Sequence, residues 1–332
     1  MIKDINRINK WPGYIPPEQD ELLSSWMIRL IRAHYTRPFT FSEHYFNGYN
    51  ILARDTDKYL PEEIIKSISD KSYLSIRDIK QLQLIRYEGI VYENYLEPNF
   101  TIGITNVGVY HRTKRHNGLL VCGKCLSKKV YFKKQWRLLS SIICTECNSY
   151  LADHCPDCKS PIDFQRHAIG RQNDYINSPL YLCWNCRYDY REIYLPVTNT
   201  KHMKYQLYID KTIHNGYNRH TQYSFEYFKV LFLFLQKFKT TEGTWARVHQ
   251  ALIKEFKIDN EIILELDYKT YQLSPLKLRI TILPLIYFLL ENWPNRFVRF
   301  VKKYRIRCSD FSKDFKHPNQ LPFWFQKTFN EF

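Results

Sequence analysis

The sequence predicts a mainly α-helical protein organised around a small zinc-ribbon module. In order, it has an N-terminal helical domain of helix-turn-helix character, two tandem four-cysteine zinc ribbons and a C-terminal all-α domain. Three observations support this. Eight of the nine cysteines fall between Cys122 and Cys186, in the pairs Cys122/Cys125, Cys144/Cys147, Cys155/Cys158 and Cys183/Cys186. The stretches on either side carry apolar residues at helical spacing. The chain has 332 residues, 44% of them hydrophobic and 16% aromatic, which suffices for two or three domains with their own cores. The pattern changes place the boundaries at 1–110, 111–198 and 199–332.

A Cys-x-x-Cys pair on a tight turn aims two sulfurs at one point, and two pairs close a tetrahedron around Zn²⁺, which favours thiolate sulfur. Four pairs therefore predict two closed structural ions, with Cys122, Cys125, Cys144, Cys147, Cys155, Cys158, Cys183 and Cys186 as ligands. Disulfides would need a secreted setting, and iron–sulfur ligands usually come in tighter runs. With four protein sulfurs each, such sites leave no position for a reacting water. Their contribution is folding energy, on the order of 10 kcal/mol or more per ion. Pairing can be sequential or crossed; sequential pairing leaves loops that a zinc ribbon tolerates.

Lysine and arginine exceed aspartate and glutamate by 16. Eight thiolates holding two divalent ions reduce that balance by four and leave it strongly positive, which favours a polyanionic partner, nucleic acid before membrane. Residues 1–20 carry charges and prolines where a signal peptide would be apolar. The longest apolar runs, 230–235 and 282–290, are too short to span a bilayer. A cytoplasmic, thiol-reducing setting is expected.

In the N-terminal third, Trp11, Pro12, Gly13, Pro16 and Pro17 form an extended lead-in, after which Asp20 is expected to cap a helix over 21–35. Leu22, Trp26, Leu30 and Ala33 form its apolar stripe. A short helix over 42–46 ends at Gly48, and Arg54-Asp55-Thr56-Asp57 reads as a charged turn. Pro61 opens a helix to Ser69, and Ser75 caps another over 76–86. These last two, joined by Asp70-Lys71-Ser72, have helix-turn-helix grammar, with Arg77, Lys80, Gln81 and Gln83 available to DNA.

Pro17, the run Glu21-Leu22-Leu23-Ser24-Ser25-Trp26, Arg29-Leu30, Gly48 and the 54–57 turn together resemble the opening of the TniQ family, which includes the TnsD-type target-selection proteins of transposons. The resemblance continues through Cys122/Cys125, Trp136, Cys144/Cys147, Leu151 and Cys155-Pro156-x-Cys158. Cys147 stands where the family usually has histidine, an exchange that zinc accepts. Further segments, Asn292-Trp293-Pro294-x-Arg296-Phe297, Ser309-Asp310 and Pro322-Phe323-Trp324, extend it towards the end of the chain.

Between His111 and Ser140 lie Arg112, Lys114, Arg115, Lys124, Lys128, Lys129, Lys133, Lys134 and Arg137 without one acidic residue. Such a collar attracts phosphate without sequence preference. Tyr131, Phe132 and Trp136, interleaved with it, are expected to pack beneath the ribbon rather than stack on bases. The dipeptide Asp153-His154 raises the alternative of a zinc-braced nuclease, with His167 or Asn177 as a further ligand. Against this, Cys155 adjoins His154 and already serves a closed site.

Beyond Cys186, a polar, tyrosine-rich linker is expected to Asn199, followed by helices over 223–238, 245–256 and 276–290, the last broken near Pro284. In 294–307, Phe297, Phe300, Val301 and Tyr304 share one face, while Arg296, Arg299, Lys302 and Lys303 spread over another. Such a helix docks on nucleic-acid phosphate or an acidic protein, or is a core helix whose cations reach water. Cys308 is expected in or near a core.

No glycine-rich phosphate loop, activated nucleophile or open metal site is present, so a non-enzymatic role is expected. The TniQ resemblance implies an adaptor that binds target DNA, or joins a CRISPR RNA-guided complex, and recruits an AAA+ ATPase of TnsC or TniC type and, through it, the transposase. Its ATPase-facing surface would include Glu21, Trp26, Arg29 and Arg54. Homodimerisation is left open. A zinc-ribbon transcription regulator that binds an operator is the alternative.

Overall fold

The first helix, α1, spans Leu23–Ala33, two residues shorter at each end than expected. Asp20 does not cap it. The Asp20 carboxylate instead accepts a 2.8 Å hydrogen bond from the Tyr131 hydroxyl and pairs with Lys133, while the extended Leu22 precedes the helix without a side-chain cap. The computed structural model describes residues 10–94, 103–107, 119–164, 179–238, 246–259, 274–312 and 321–330. It divides into two units: residues 1–86, 106–138 and 149–195, and residues 87–105, 139–148 and 196–332.

In the first unit, α1 packs on α2 (Pro38–Phe46), with Trp11 at the centre of their aromatic core. Its ring lies within 5.6–6.5 Å of Trp26, His34, Phe41, Tyr45 and Phe46. α3 (Glu62–Lys71) follows Pro61, and α4 (Ile76–Leu82) starts at Ser75 through a reciprocal capping box with Asp78. α4 ends four residues earlier than its periodicity suggests. Gln83 turns extended because its side-chain amide donates to the Thr56 carbonyl at 2.8 Å, and the next amide, Leu84 N–H, bonds the Asp57 carbonyl. A short helix α5 (Gly123–Lys128) completes the unit's α-helices among the described residues.

The 187–199 stretch is not an open linker. Tyr190–Glu192 form a 3₁₀ turn whose Tyr190 and Ile193 are buried, and the turn packs on α5.

The second unit is helical: α6 (Thr200–Asn215), α7 (Ser224–Lys237), α8 (Ala246–Phe256), α9 (Leu276–Glu291), α10 (Asn295–Tyr304), α11 (Ser309–Ser312) and α12 (Phe323–Asn330). Its core is aromatic, with Phe234, Phe297, Phe311 and Phe325 in mutual edge and tilted contact. Trp245, the expected start of the helix α8, lies outside the described residues. α6 was not expected, because its buried positions, Tyr205, Gln206, Ile209 and Thr212, keep helical spacing but include two polar side chains. Gln206 is engaged internally, its Oε1 accepting from the amides of Ile142 and Ile143. α9 runs unbroken through Pro284, since burial of Ile282, Leu283, Ile286, Leu289 and Leu290 outweighs the one hydrogen bond that proline removes. Among the described residues no helix is long and apolar enough to cross a membrane.

The most consequential polar contact in the first unit is buried. Arg137, 1% exposed, donates to Asp57 Oδ2 at 2.9 Å and to Asp55 Oδ2 at 2.6 Å, while Ser24 donates to Asp57 from both its amide and its hydroxyl. Desolvation pushes the Asp57 carboxyl up to about 6, opposed by Arg137 and by the Ser24 hydrogen bonds. Because this folded value exceeds the unfolded one, Asp57 adds most to stability at low pH, and its contribution falls as pH rises through about 6. Removing the guanidinium raises the carboxyl further. Arg137→Ala should therefore cost about 3–5 kcal/mol of unfolding free energy near neutral pH, with a larger loss at pH 8 than at pH 5, as read by urea denaturation at both values.

Candidate metal centres and the charged surfaces around them

The sulfurs group as two sets of four. Cys122, Cys125, Cys144 and Cys147 form one and Cys155, Cys158, Cys183 and Cys186 the other, with all ligand atoms in each set within 4.8 Å of one another. Pairing is thus sequential. In the second set the Cys155–Cys186 and Cys158–Cys183 sulfur separations are 3.5 and 3.6 Å. A tetrahedral ion with metal–sulfur bonds of about 2.3 Å requires edges close to these. The donor set fits a thiolate-bound ion, and the second pair of each set, like the first, is contributed by protein sulfur alone.

Local backbone structure explains the convergence. The 155–158 turn is closed by an antiparallel bridge between His154 and Pro161, and the 183–186 turn by one between Leu182 and Asp189. In each, the first cysteine's amide bonds back across the turn, Cys155 to the Ser160 carbonyl and Cys183 to the Tyr188 carbonyl, both at 2.8 Å. The 144–147 turn lies between β1 (Ile143–Cys144) and β2 (Ser149–Tyr150), which pair in a two-stranded sheet. Directly after the second cysteine of these three pairs, Asn148, Lys159 and Arg187 have φ of 50°, 57° and 66°. This left-handed residue turns the chain back beneath its sulfurs. The Cys122/Cys125 pair differs, because Cys125 lies within α5 and Cys122 precedes it. Here Gly123 is indispensable for closeness: a Cβ would lie 2.3 Å from the Ile193 carbonyl oxygen and 2.4 Å from that of Tyr190.

The expected basic collar separates into different populations. Arg112, Lys114 and Arg115 lie outside the described residues, as do His167 and Asn177. Lys134, 3% exposed, donates from its amide to the Asp20 carbonyl and from its ammonium to the Gln19 and Glu21 carbonyls; burial pulls its pKa down to about 8. Lys134 and Arg137 are therefore interior residues, a correction to a continuous phosphate-facing collar. The acidic partners missing from 111–140 arrive from the N-terminal segments: Glu18 pairs with Lys129, Asp20 with Lys133, and Asp55 and Asp57 with Arg137. Lys124 and Lys128 stay exposed on α5, Lys124 with its ammonium 3.5 Å above the Tyr194 ring. Nearby in sequence to that ring, Arg191 lies 3.7 Å over Tyr181, a second exposed cation–aromatic pair that sequence reasoning passed over. Phe132 and Trp136 are buried, Phe132 against Phe164 at 4.9 Å.

On the expected partner surface, Glu21 and Trp26 are fully buried. Glu21 accepts from Ser25 and pairs with Arg29, while the Trp26 indole donates to the Ile15 carbonyl. Arg29 is partly exposed and Arg54 exposed, so only these two present side chains outward. Arg77 is exposed on α4, and Lys80 pairs with Glu62 across α3 and α4. In the second unit Arg299 and Lys303 are exposed and Arg296 is partly so. His154, the nuclease candidate, is held by Asp153 at 2.8 Å, which raises its pKa through that hydrogen bond.

Metal analysis of the purified chain should give two ions per molecule, and Cys125→Ser or Cys183→Ser should each remove one and leave the other. Gly123→Ala, with no room between α5 and the 190–193 turn, should lower unfolding free energy by about 1–3 kcal/mol in chemical denaturation.

Residues 12–148 match the family model TniQ, a span that includes the first four-cysteine set and ends before the second. No curated protein matches the chain.

Proposed function

We propose, on the premise that this chain is a TniQ-family protein and so belongs in general terms to transposition target selection, that it is a non-enzymatic adaptor joining target DNA to an AAA+ transposition ATPase. The observation that carries the reading is the overlap of the TniQ match with the first sulfur set: the matched residues include α1–α4, the buried Arg137 contact and Cys122–Cys147 as one stretch. Each four-cysteine set holds a structural Zn²⁺, whose ligand count leaves no open position for catalysis. In this reading the ions set the shape of the chain, and binding is done by side chains around them.

Nucleic-acid contact in the first unit falls to the exposed cations: Lys124 and Lys128 on α5, Lys129 beside them, and Arg77 on α4 as the helix-turn-helix contribution. Arg29 and Arg54 belong to the ATPase-facing surface. A member that reads DNA directly prefers one duplex over others at moderate salt. A member that works with a CRISPR RNA-guided complex binds duplex without sequence preference and co-purifies with the guided complex. The domain limits 1–110, 111–198 and 199–332 stay with this reading as a division of labour between ATPase contact, metal-shaped nucleic-acid contact and a helical C-terminal part.

Anisotropy with labelled duplex should show binding that weakens steeply between low and moderate salt. Lys124→Glu with Lys128→Glu should lower affinity about tenfold at constant salt, with a shallower salt dependence. Affinity capture with the tagged chain should retain a cognate AAA+ ATPase. Duplex binding unchanged by the double substitution, or no retained ATPase, would count against the adaptor reading.

A further inference from the structure

Helices α8, α9 and α10 surround a cleft of about 370 Å³ in the second unit. Its lining combines the apolar Phe256, Leu289 and Phe300 with Arg296, Arg299, Lys303 and one carboxylate, Glu255. Phe288 stands at the mouth, 40% exposed. The Arg296 guanidinium lies 3.9 Å over the Phe288 ring and is fixed there by two hydrogen bonds, 3.0 Å to the Phe288 carbonyl and 2.8 Å to the Glu291 carboxylate. Lys201, at the start of α6, approaches the same ring at 5.7 Å. The cleft thus has a preformed flat cation–aromatic platform beside an apolar recess.

The two nearby carboxylates are already engaged. Glu255 holds Lys303 at 2.7 Å and accepts from the Tyr304 hydroxyl, and Glu291 holds Arg296. Arg299 and Lys201 remain exposed around the mouth. Charge therefore selects an anionic ligand, while the recess selects a flat apolar one. Duplex phosphate alone leaves the aromatic lining unused, because the base faces of a duplex are stacked on one another. An unpaired nucleotide satisfies both, with its base against the platform or recess and its phosphates at Arg299 and Lys201.

We infer that this cleft binds single-stranded nucleic acid, taking an unpaired base on the Phe288–Arg296 platform. The inference rests on the nucleic-acid part of the reading above but not on the TniQ match, since every residue lining the cleft lies outside 12–148. It also assigns a ligand class to the basic face of α10, which the sequence left divided between nucleic acid, acidic protein and a core role.

The test uses the full chain and anisotropy with labelled oligothymidine and oligouridine of about 15 nucleotides and a duplex of equal length. Phe288→Ala should weaken single-strand binding about tenfold and leave duplex binding within about twofold, and Phe288→Trp should restore it. Arg299→Glu should weaken single strands at least as much. DNA and RNA strands that respond alike indicate recognition of the unpaired base itself; a response confined to one assigns the sugar a part. Wild-type protein without single-strand affinity, equal losses on duplex and single strand, or no loss on either would overturn the inference. So would an acidic peptide whose binding is lost in Phe288→Ala while oligonucleotide binding is kept. Because Phe288 is partly exposed, folding can be verified independently by unchanged denaturation midpoint. If Lys124→Glu with Lys128→Glu abolishes duplex binding but spares the single strand, the two sites are distinct; if no nucleic acid binds at all, both readings fall.

Discussion

Closing a tetrahedron of sulfur fixes two chain segments to one point, and the rest of this structure depends on that constraint being met twice. Neither ribbon contains much regular structure: the paired strands are two residues each and α5, which carries Cys125, is short. Turns with so little regular structure recover little of the entropy of ordering them, and an ion held by each set of sulfurs would supply the difference. Backbone geometry prepares them for it. Three successive knuckles use a left-handed residue after the second cysteine, none of them glycine, which means that strain at Asn148, Lys159 and Arg187 is tolerated because it brings the ligands together. At the fourth pair the demand is for space, and Gly123 meets it.

Around this framework the protein uses some of its positive charge internally. Arg137 and Lys134 occupy the interior of the first unit, where a charge without partners would be prohibitively costly. Asp57, Asp55 and a set of main-chain carbonyls supply those partners. The effect is to tie the segment between the two cysteine pairs of the first set to the loop before α3 and to the start of α1, where Leu22 and Lys134 exchange main-chain bonds with Phe132 and Asp20. A net charge of +16 therefore overstates what is offered to a partner. What counts is which cations reach water, and in the first unit those include Lys124 and Lys128 on α5, Arg77 on α4 and Arg54 in the loop before α3.

Much of the architecture was legible because it rests on short-range rules. The four cysteine pairs follow from spacing alone, the Ser75 cap from its place before an apolar-periodic run, and the buried face of α10 from helical periodicity. Other features were not, for reasons that are equally physical. α4 stops at Leu82 because of bonds from Gln83 and Leu84 to residues some 27 positions earlier. α6 hides its inward face in Gln206 and Thr212, which look like surface residues until their partners are known. The collar looked unopposed because its counter-charges, Glu18, Asp20, Asp55 and Asp57, lie about 80 to 110 residues away in sequence. The one available hint was that the N-terminal third carries carboxylates within and beside the TniQ-like segments.

The same distinction explains why the second unit has a binding face of a different kind. Where a cation meets a buried carboxylate, as Arg137 does, both are consumed by the fold. On α10 the charged side chains instead pair at the rim, with Glu255 and Glu291, and stay partly in water while the apolar side of the helix packs inward. Arg296 in this position is doubly anchored, so its guanidinium plane is held rather than mobile, and a ligand stacking on it meets little further loss of side-chain entropy. Preorganisation of that kind distinguishes a recognition surface from a merely soluble one. It arises here because the largely apolar second half of α9 ends beside a basic α10, leaving one aromatic ring, Phe288, at the edge where the core runs out.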